Sequence, residues 1–180
     1  MRRRLALLLG MLASASGASA QDRPAINLNT HSTVAIDRPA TAIWPHILDP
    51  SSWKQAAKLW HHAGPVGQVG EIFAAGDPAD KRQVMFFIEN VELIPNERRT
   101  IKLYQADGTL IGFASWSLRA EGGRTVVGYD VHSETRLDSA QAKAMPPARA
   151  RETERVQQAE NQRRFDDELL ALKRLVEASP

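Results

Sequence analysis

The sequence predicts an α+β domain, a curved antiparallel sheet of six or seven strands wrapped on one long C-terminal helix. Three observations predict it. Between Gly64 and Arg136, apolar and polar residues alternate with period two, the spacing of half-buried strands. This region is cut by short turn signals at Gly76-Asp77-Pro78, Pro95-Asn96, Asp107-Gly108 and Gly122-Gly123. Such connections are too short for parallel crossovers, so neighbouring strands pair antiparallel. Near the end, Phe165, Leu169, Leu172 and Val176 recur at i, i+4, i+7 and i+11, one face of a helix.

The chain opens Met1-Arg2-Arg3-Arg4, then an apolar run from Leu5 to Leu12, then small residues through Ala18-Ser19-Ala20. These are the charged, apolar and small-residue parts of a secretory signal peptide, residues 1–20, with cleavage expected after Ala20 and a periplasmic or secreted product. The apolar run falls short of the roughly 20 residues that span a bilayer, and no later stretch is long enough. No integral membrane anchor is therefore expected after cleavage. The chain has no cysteine, so it carries neither disulfides nor a cysteine-linked lipid, although the compartment permits disulfides. A domain of about 150 residues buries roughly 70% of the surface its unfolded chain exposes, core enough for one domain without staples.

The formal net charge of +2 belongs to the precursor. Taking Arg2, Arg3 and Arg4 from the 23 basic residues leaves 20 against 21 acidic ones, a mature balance of −1. A near-neutral chain has no electrostatic footprint for nucleic acid.

The elements follow in order. Residues 21–27 read as a leader and 28–178 as the domain. Residues 28–36 form an extended segment in which Val34 and Ile36 alternate with small or polar neighbours. Pro39 stands where a helix can start, and 40–48 is a short helix with Ile43, Trp44, Ile47 and Leu48 on one side. Pro45 should kink that helix or delay its start. Asp49-Pro50-Ser51 ends it and can cap a second short helix over 53–60. Strands are expected at 69–75, 83–94, 98–104, 110–119 and 125–135. The segment 83–94 is long for one strand and is expected to bend or bulge near Asn90. A helix of about 30 residues then runs from about Ala148 to Ala178. Its second half is patterned for packing, whereas its first half carries Val156 as its one large apolar residue. The polar stretch 139–162 is therefore expected to be extended or lid-like.

This element order, one strand, two short helices, a meander and a closing helix, is that of the helix-grip fold. The residues also resemble the START-like (SRPBCC) superfamily, in its polyketide cyclase/dehydrase-like ligand-binding branch. The resemblance rests on Val34-Ala35-Ile36-Asp37-Arg38-Pro39-Ala40-Thr41-Ala42-Ile43-Trp44, on Leu48-Asp49-Pro50-Ser51-Ser52-Trp53, and on Gly67-Gln68-Val69-Gly70-Glu71. It continues in Trp116-Ser117-Leu118, in Gly122-Gly123-Arg124-Thr125-Val126-Val127, and in the closing 169–177. It implies a deep cavity between sheet and helix that holds lipids, polyketides, aromatics or other apolar molecules. Some such proteins are cyclases or hydrolases and many only bind, so fold alone does not decide function. The longer, more polar stretch 139–162 departs from the pattern at the pocket mouth.

Alternation nominates the contacts. In the last strand Thr125, Val127, Tyr129, Val131 and Ser133 share the more apolar side, which is placed inward. In the strand before it, Gly112, Ala114, Trp116 and Leu118 are placed inward. For Val84, Phe86 and Ile88 against Met85, Phe87 and Glu89 both faces are apolar and the choice stays open. The expected ligand contacts are Trp116, Tyr129, Val127, Val131 and Leu118, with Phe165 and Leu169 from the helix. Trp116 and Tyr129 each offer an apolar body and a polar tip, suited to orienting an apolar ligand or equally to ordinary core.

His132, with Asp130 and Glu134 two residues either side, is the densest titratable set. Turned inward, His132 would suit proton transfer and is the candidate catalytic residue. Alternating charges on a strand more often mark its solvated side. His61-His62 point about 100° apart if helical and lack further ligands, so no metal is expected. Ser115 and Ser117 lack a nucleophile elbow. No phosphate-cradling glycine loop is present, and no cofactor is expected. Trp44, Trp53 and Trp60 read as packing residues.

Three functions follow. The first is binding, or transport, of a hydrophobic small molecule or lipid in the periplasm. The second is a cofactor-independent cyclase, dehydratase or hydrolase on the same fold. The third is a protein-interaction module that uses the polar half of the helix.

Overall fold

Alternating segments pair into one sheet that a long C-terminal helix closes. In chain order the elements are β1 (Ala25–Ile36), α1 (Ala40–Leu48), β2 (Lys58–Ala63), β3 (Ile72–Gly76), β4 (Val84–Ile94), β5 (Arg98–Tyr104), β6 (Leu110–Glu121), β7 (Arg124–Arg136) and α2 (Pro147–Ala178). They are seen in a computed structural model that describes residues 25–49, 58–76, 84–136 and 146–179. The expected signal peptide lies outside the described residues. The seven strands stand in the order β1-β7-β6-β5-β4-β3-β2, and every neighbouring pair is antiparallel. This is a helix-grip α+β fold. Strands β2 to β7 form a meander, and β1 lies at the far edge beside β7.

Three expectations need correction at their boundaries. Residues 58–60, placed in a second short helix, lie in β2, and 50–57 fall outside the described residues. Leu59 and His61 face one way and pair with Ala75 and Phe73 of β3. The ladder that β3 offers outweighs the weak helical preference of Lys-Leu-Trp-His-His. His61 and His62 are accordingly strand residues. Strand β3 starts at Ile72 rather than at residue 69, because Gly64, Gly67 and Gly70 all adopt left-handed backbone (φ +83°, +70° and +86°) and hold that stretch as a loop. Strand β1 begins at Ala25, within the stretch read as a leader.

The bulge expected near Asn90 is present: the β4–β5 register shifts between Asn90 and Glu92. Helix α1 runs through Pro45. The inward faces of β6 and β7 are those the alternation assigned, with Trp116, Leu118, Val127 and Tyr129 all buried. Strand β4, left open, turns Ile88 and Asn90 into the core and leaves Met85 exposed. From α2, Phe165, Leu169, Leu172 and Val176 enter the same core.

Helix α2 also seals the free edge of β1. Gln158 binds both backbone groups of Asn29, accepting from its N–H at 2.9 Å and donating to its carbonyl. Gln162 donates to the carbonyl of His31 and to the hydroxyl of Ser32, each at 2.9 Å. Lys173 donates to the Ala35 carbonyl at 2.6 Å, and Glu177 accepts from the Asp37 N–H at 2.9 Å. Four helical residues rise about 6 Å and two strand residues about 6.6 Å, so side chains four apart on α2 meet alternate residues of β1. An open sheet edge is thereby blocked by polar side chains.

Candidate functional site

The concave face of the sheet carries a row of aromatic groups. Trp116 of β6 and Tyr129 of β7 are direct cross-strand partners. Their rings stack 4.7 Å apart at 13°, and Phe165 of α2 meets Tyr129 edge-on at 5.0 Å. Offset and edge contacts of this kind suit the ring quadrupoles. Leu118, Val127 and Leu169 complete the buried cluster, and half-buried Val131 packs against it. The seven residues nominated as ligand contacts thus share one surface. Towards the N-terminal half of α2, the concave wall continues as half-buried Val131, Leu103, Phe86 and Phe73.

At one end of the aromatic row lies a buried polar chain that sequence reasoning missed. Arg99 of β5 is 2% exposed. Its Nε donates to Asn90 Oδ1 at 2.9 Å. Its Nη1 donates to the Leu48 carbonyl at 3.0 Å and to the Ile47 carbonyl, both at the C-terminal end of α1. The guanidinium lies 5.8 Å from the Phe73 ring centre and 5.6 Å from that of Trp116, within cation–π range. Asn90 Nδ2 donates to Glu71 Oε2 at 3.3 Å, and the same oxygen accepts from the Gly67 N–H at 2.8 Å. Burial lowers the Arg99 pKa to about 10, against the opposing pull of Glu71, Tyr129 and Asp49. The group stays cationic at neutral pH. A signal was available: Arg99 stands in alternating register with Ile101 and Leu103, which puts an arginine on the apolar side of a strand.

A buried carboxyl lies on the helix. Glu168 is buried beside Leu169 in α2, three residues from Phe165 and four from Leu172, on the side that enters the core. Arg164 lies over the Phe165 ring, 4.7 Å from its centre.

His132 lies on the opposite, convex face and is exposed. Its Nδ1 is 2.5 Å from Asn29 Oδ1. Asp130, its neighbour two residues before, pairs instead with His31 Nδ1 at 2.6 Å, a histidine to which the sequence assigned no role. Ser115 is on this face as well, with its hydroxyl 3.1 Å from that of Thr100. Among the described residues no group of three or more His, Cys, Asp or Glu is placed to hold a metal ion, and no helix is long and apolar enough to cross a membrane.

No protein-family model and no curated protein matches the sequence. Solved structures do match the fold. The Aha1 dimer from Colwellia psychrerythraea superposes with a TM-score of 0.56 at 15% identity, covering 84% of this chain and 97% of that one. Truncated norcoclaurine synthase from Thalictrum flavum gives 0.56 at 13% identity, covering 87% and 97%. The di-domain ARO/CYC StfQ from the steffimycin biosynthetic pathway gives 0.61 at 12% identity, covering 84% of this chain and 51% of that one. At these identities the likeness is one of fold: a seven-stranded antiparallel sheet gripped by a long C-terminal helix, the helix-grip arrangement.

Proposed function

We propose that this protein is exported through residues 1–20 and binds an apolar small molecule or lipid between the concave face of the sheet and the N-terminal half of α2. One observation carries the reading. The concave wall stays apolar past the Trp116–Tyr129–Phe165 row, through half-buried Val131, Leu103 and Phe86. Before Phe165, however, α2 offers Val156 as its one large apolar residue, and Val156 is 40% exposed. The helix before Phe165 therefore supplies little apolar surface of its own to cover that stretch of wall, which leaves a ligand to do so. Each apolar group covered there by a ligand gains about 25 cal/mol per Å². The fold supports the reading only as architecture.

The test is native mass spectrometry of protein taken from the periplasm. A bound mass extractable into organic solvent is expected. Val131→Trp, which fills the wall from its middle, should lose that mass while keeping a cooperative melt. Repeatedly empty wild-type protein would sink the proposal.

Glu168 favours a second reading, proton-transfer chemistry on the bound molecule. A carboxyl buried beside an aromatic row is the kind of group that general acid–base work requires. Glu168→Gln should then retain the ligand and lose turnover; turnover equal to wild type would remove this reading.

A further inference from the structure

We infer that residues 147–162, the N-terminal half of α2, form a lid that unwinds from β1 and admits the ligand along the seam between them. The route rests on the concave site proposed above; the opening itself does not need it. The helix is weakest at this end. Its N-cap is Pro146, which has no side chain to accept from the free N–H groups of the first turn. That turn holds Arg149 and no acidic residue, and a cation there opposes the helix dipole. Val156, the one large apolar residue of this half, is 40% exposed. Phe165, Leu169, Leu172 and Val176 instead pin the other half into the core. Among the described residues, the weak half is tied to β1 by two neutral amides. Gln158 holds the backbone of Asn29, and Gln162 holds the carbonyl of His31 and the hydroxyl of Ser32.

The closed seam also leaves a polar group unsatisfied. Thr30 stands between the two clamped residues, Asn29 and His31, and directly opposite Val131, so it shares the concave side. Thr30 is 4% exposed, and its hydroxyl has no hydrogen-bond partner among the described residues. Such a group costs stability while the seam is shut, and water satisfies it once the seam opens. Ser32, two residues on and on the same side, has its hydroxyl met by Gln162, so the helix serves one of these hydroxyls and not the other. A groove of about 380 Å³ already runs along the seam, lined by Asn27, Asn29, Arg151, Glu154, Arg155 and Gln158. Opening there frees the concave side of β1 at Thr30 and of β7 at Val131. Phe165 lies in the pinned half, so the aromatic row keeps its helical member. A local opening of this kind costs less than global unfolding.

The chain has no cysteine, so one introduced thiol reports one position. Thr30→Cys reads the lid. Val176→Cys, a near-isosteric change in the pinned half, reads global unfolding. With a small neutral disulfide reagent in native buffer, Thr30→Cys should label at least about a hundredfold faster than Val176→Cys. Dilute urea should scarcely raise the first rate and should steeply raise the second, because global unfolding exposes far more surface. Amides of 147–162 should exchange on the timescale of that opening while the β1–β7 ladder stays protected. Arg149→Glu, which puts an acid in the first turn, should slow Thr30→Cys labelling about threefold. For the route, the probe is the neutral fluorophore N-phenyl-1-naphthylamine. In the double variant Asn27→Cys, Arg151→Cys, a short bifunctional maleimide bridges the seam, and it should slow probe release at least about tenfold against the unbridged protein. The lid is overturned if the two thiols label alike, or if the β1–β7 ladder exchanges together with the helix. The route is overturned if the bridged protein releases the probe as fast as the unbridged one. A probe that never binds, with Thr30→Cys still labelling fast, strikes down the concave site and the route with it.

Discussion

Arg99 shows what a single residue does here. Its guanidinium is out of water and costs several kcal/mol to desolvate, yet its donors reach the Ile47 and Leu48 carbonyls and Asn90. Those carbonyls end α1, where a helix leaves acceptors unpaired and a cation is favoured. Removing the guanidinium strands them in the core. Arg99→Met should therefore lower unfolding stability by about 3 kcal/mol, measured by chemical denaturation. Arg99→Lys should recover little, since a point charge cannot replace the planar fork. A loss below about 0.5 kcal/mol would show that α1 is held by apolar packing instead. Gly112 illustrates the opposite constraint, space. A Cβ there would lie 2.1 Å from the His132 carbonyl oxygen of β7, so the close approach of β6 and β7 at that point depends on the missing side chain.

At the scale of elements, α2 has two halves with different fastenings. The C-terminal half packs apolar side chains, and its end is tied to β1 and the turn after it. Glu177 accepts from the Asp37 N–H, while Arg38 donates to the carbonyls of Glu177 and Ser179 at 3.1 and 3.0 Å. The Asp37 N–H, and after it Lys173, hold the Glu177 carboxyl below its usual pKa of 4.5. Because the folded form is the stronger acid, its contribution is complete above the ordinary carboxylate range and is lost as pH falls through the depressed value. Wild type should therefore outlast Glu177→Gln in urea at about pH 7, and the gap should close at about pH 3. A gap that is equal at both would show that the carboxylate charge is not involved.

The N-terminal half of α2 is held differently, by Gln158 and Gln162 on the backbone of β1. Two neutral side chains contribute about 1 kcal/mol each, far less than a packed face. The double variant Gln158→Ala, Gln162→Ala should speed amide exchange across 147–162 and leave 165–178 protected. Uniform protection along the helix would refute a separately opening half. This is also the half in which Val156 is the one large apolar residue, so the weak fastening and the proposed ligand space coincide.

For the whole molecule, export is the prediction with the widest consequence. Expression of the full chain in a bacterium with a general secretory pathway should yield a periplasmic product whose mass starts at Gln21. Retention of Met1 in the cytosol would remove both the address and the mature charge of −1 from the argument. Export would bear on chemistry too: an exported protein would have little access to a nicotinamide or ATP pool, and the proposed function calls for neither.

Local pattern by itself determined most of the architecture. Strands β4 to β7, α1 and α2 follow from residue periodicity and turn chemistry, because each is decided by neighbours close in the chain. Alternation also assigned the buried sides of β6 and β7, since one face was plainly more apolar. Tertiary structure alone decided the rest. Lys58–Ala63 became a strand because β3 was there to pair with it. Arg99, Asn90 and Glu71 became one buried chain because β4, β5 and the end of α1 converge on them. Asp130 found His31 rather than His132 because β1 and β7 are adjacent in space and about 100 residues apart in sequence. Partners that distant leave no periodic trace, so folding, and not spacing, selects which polar groups meet.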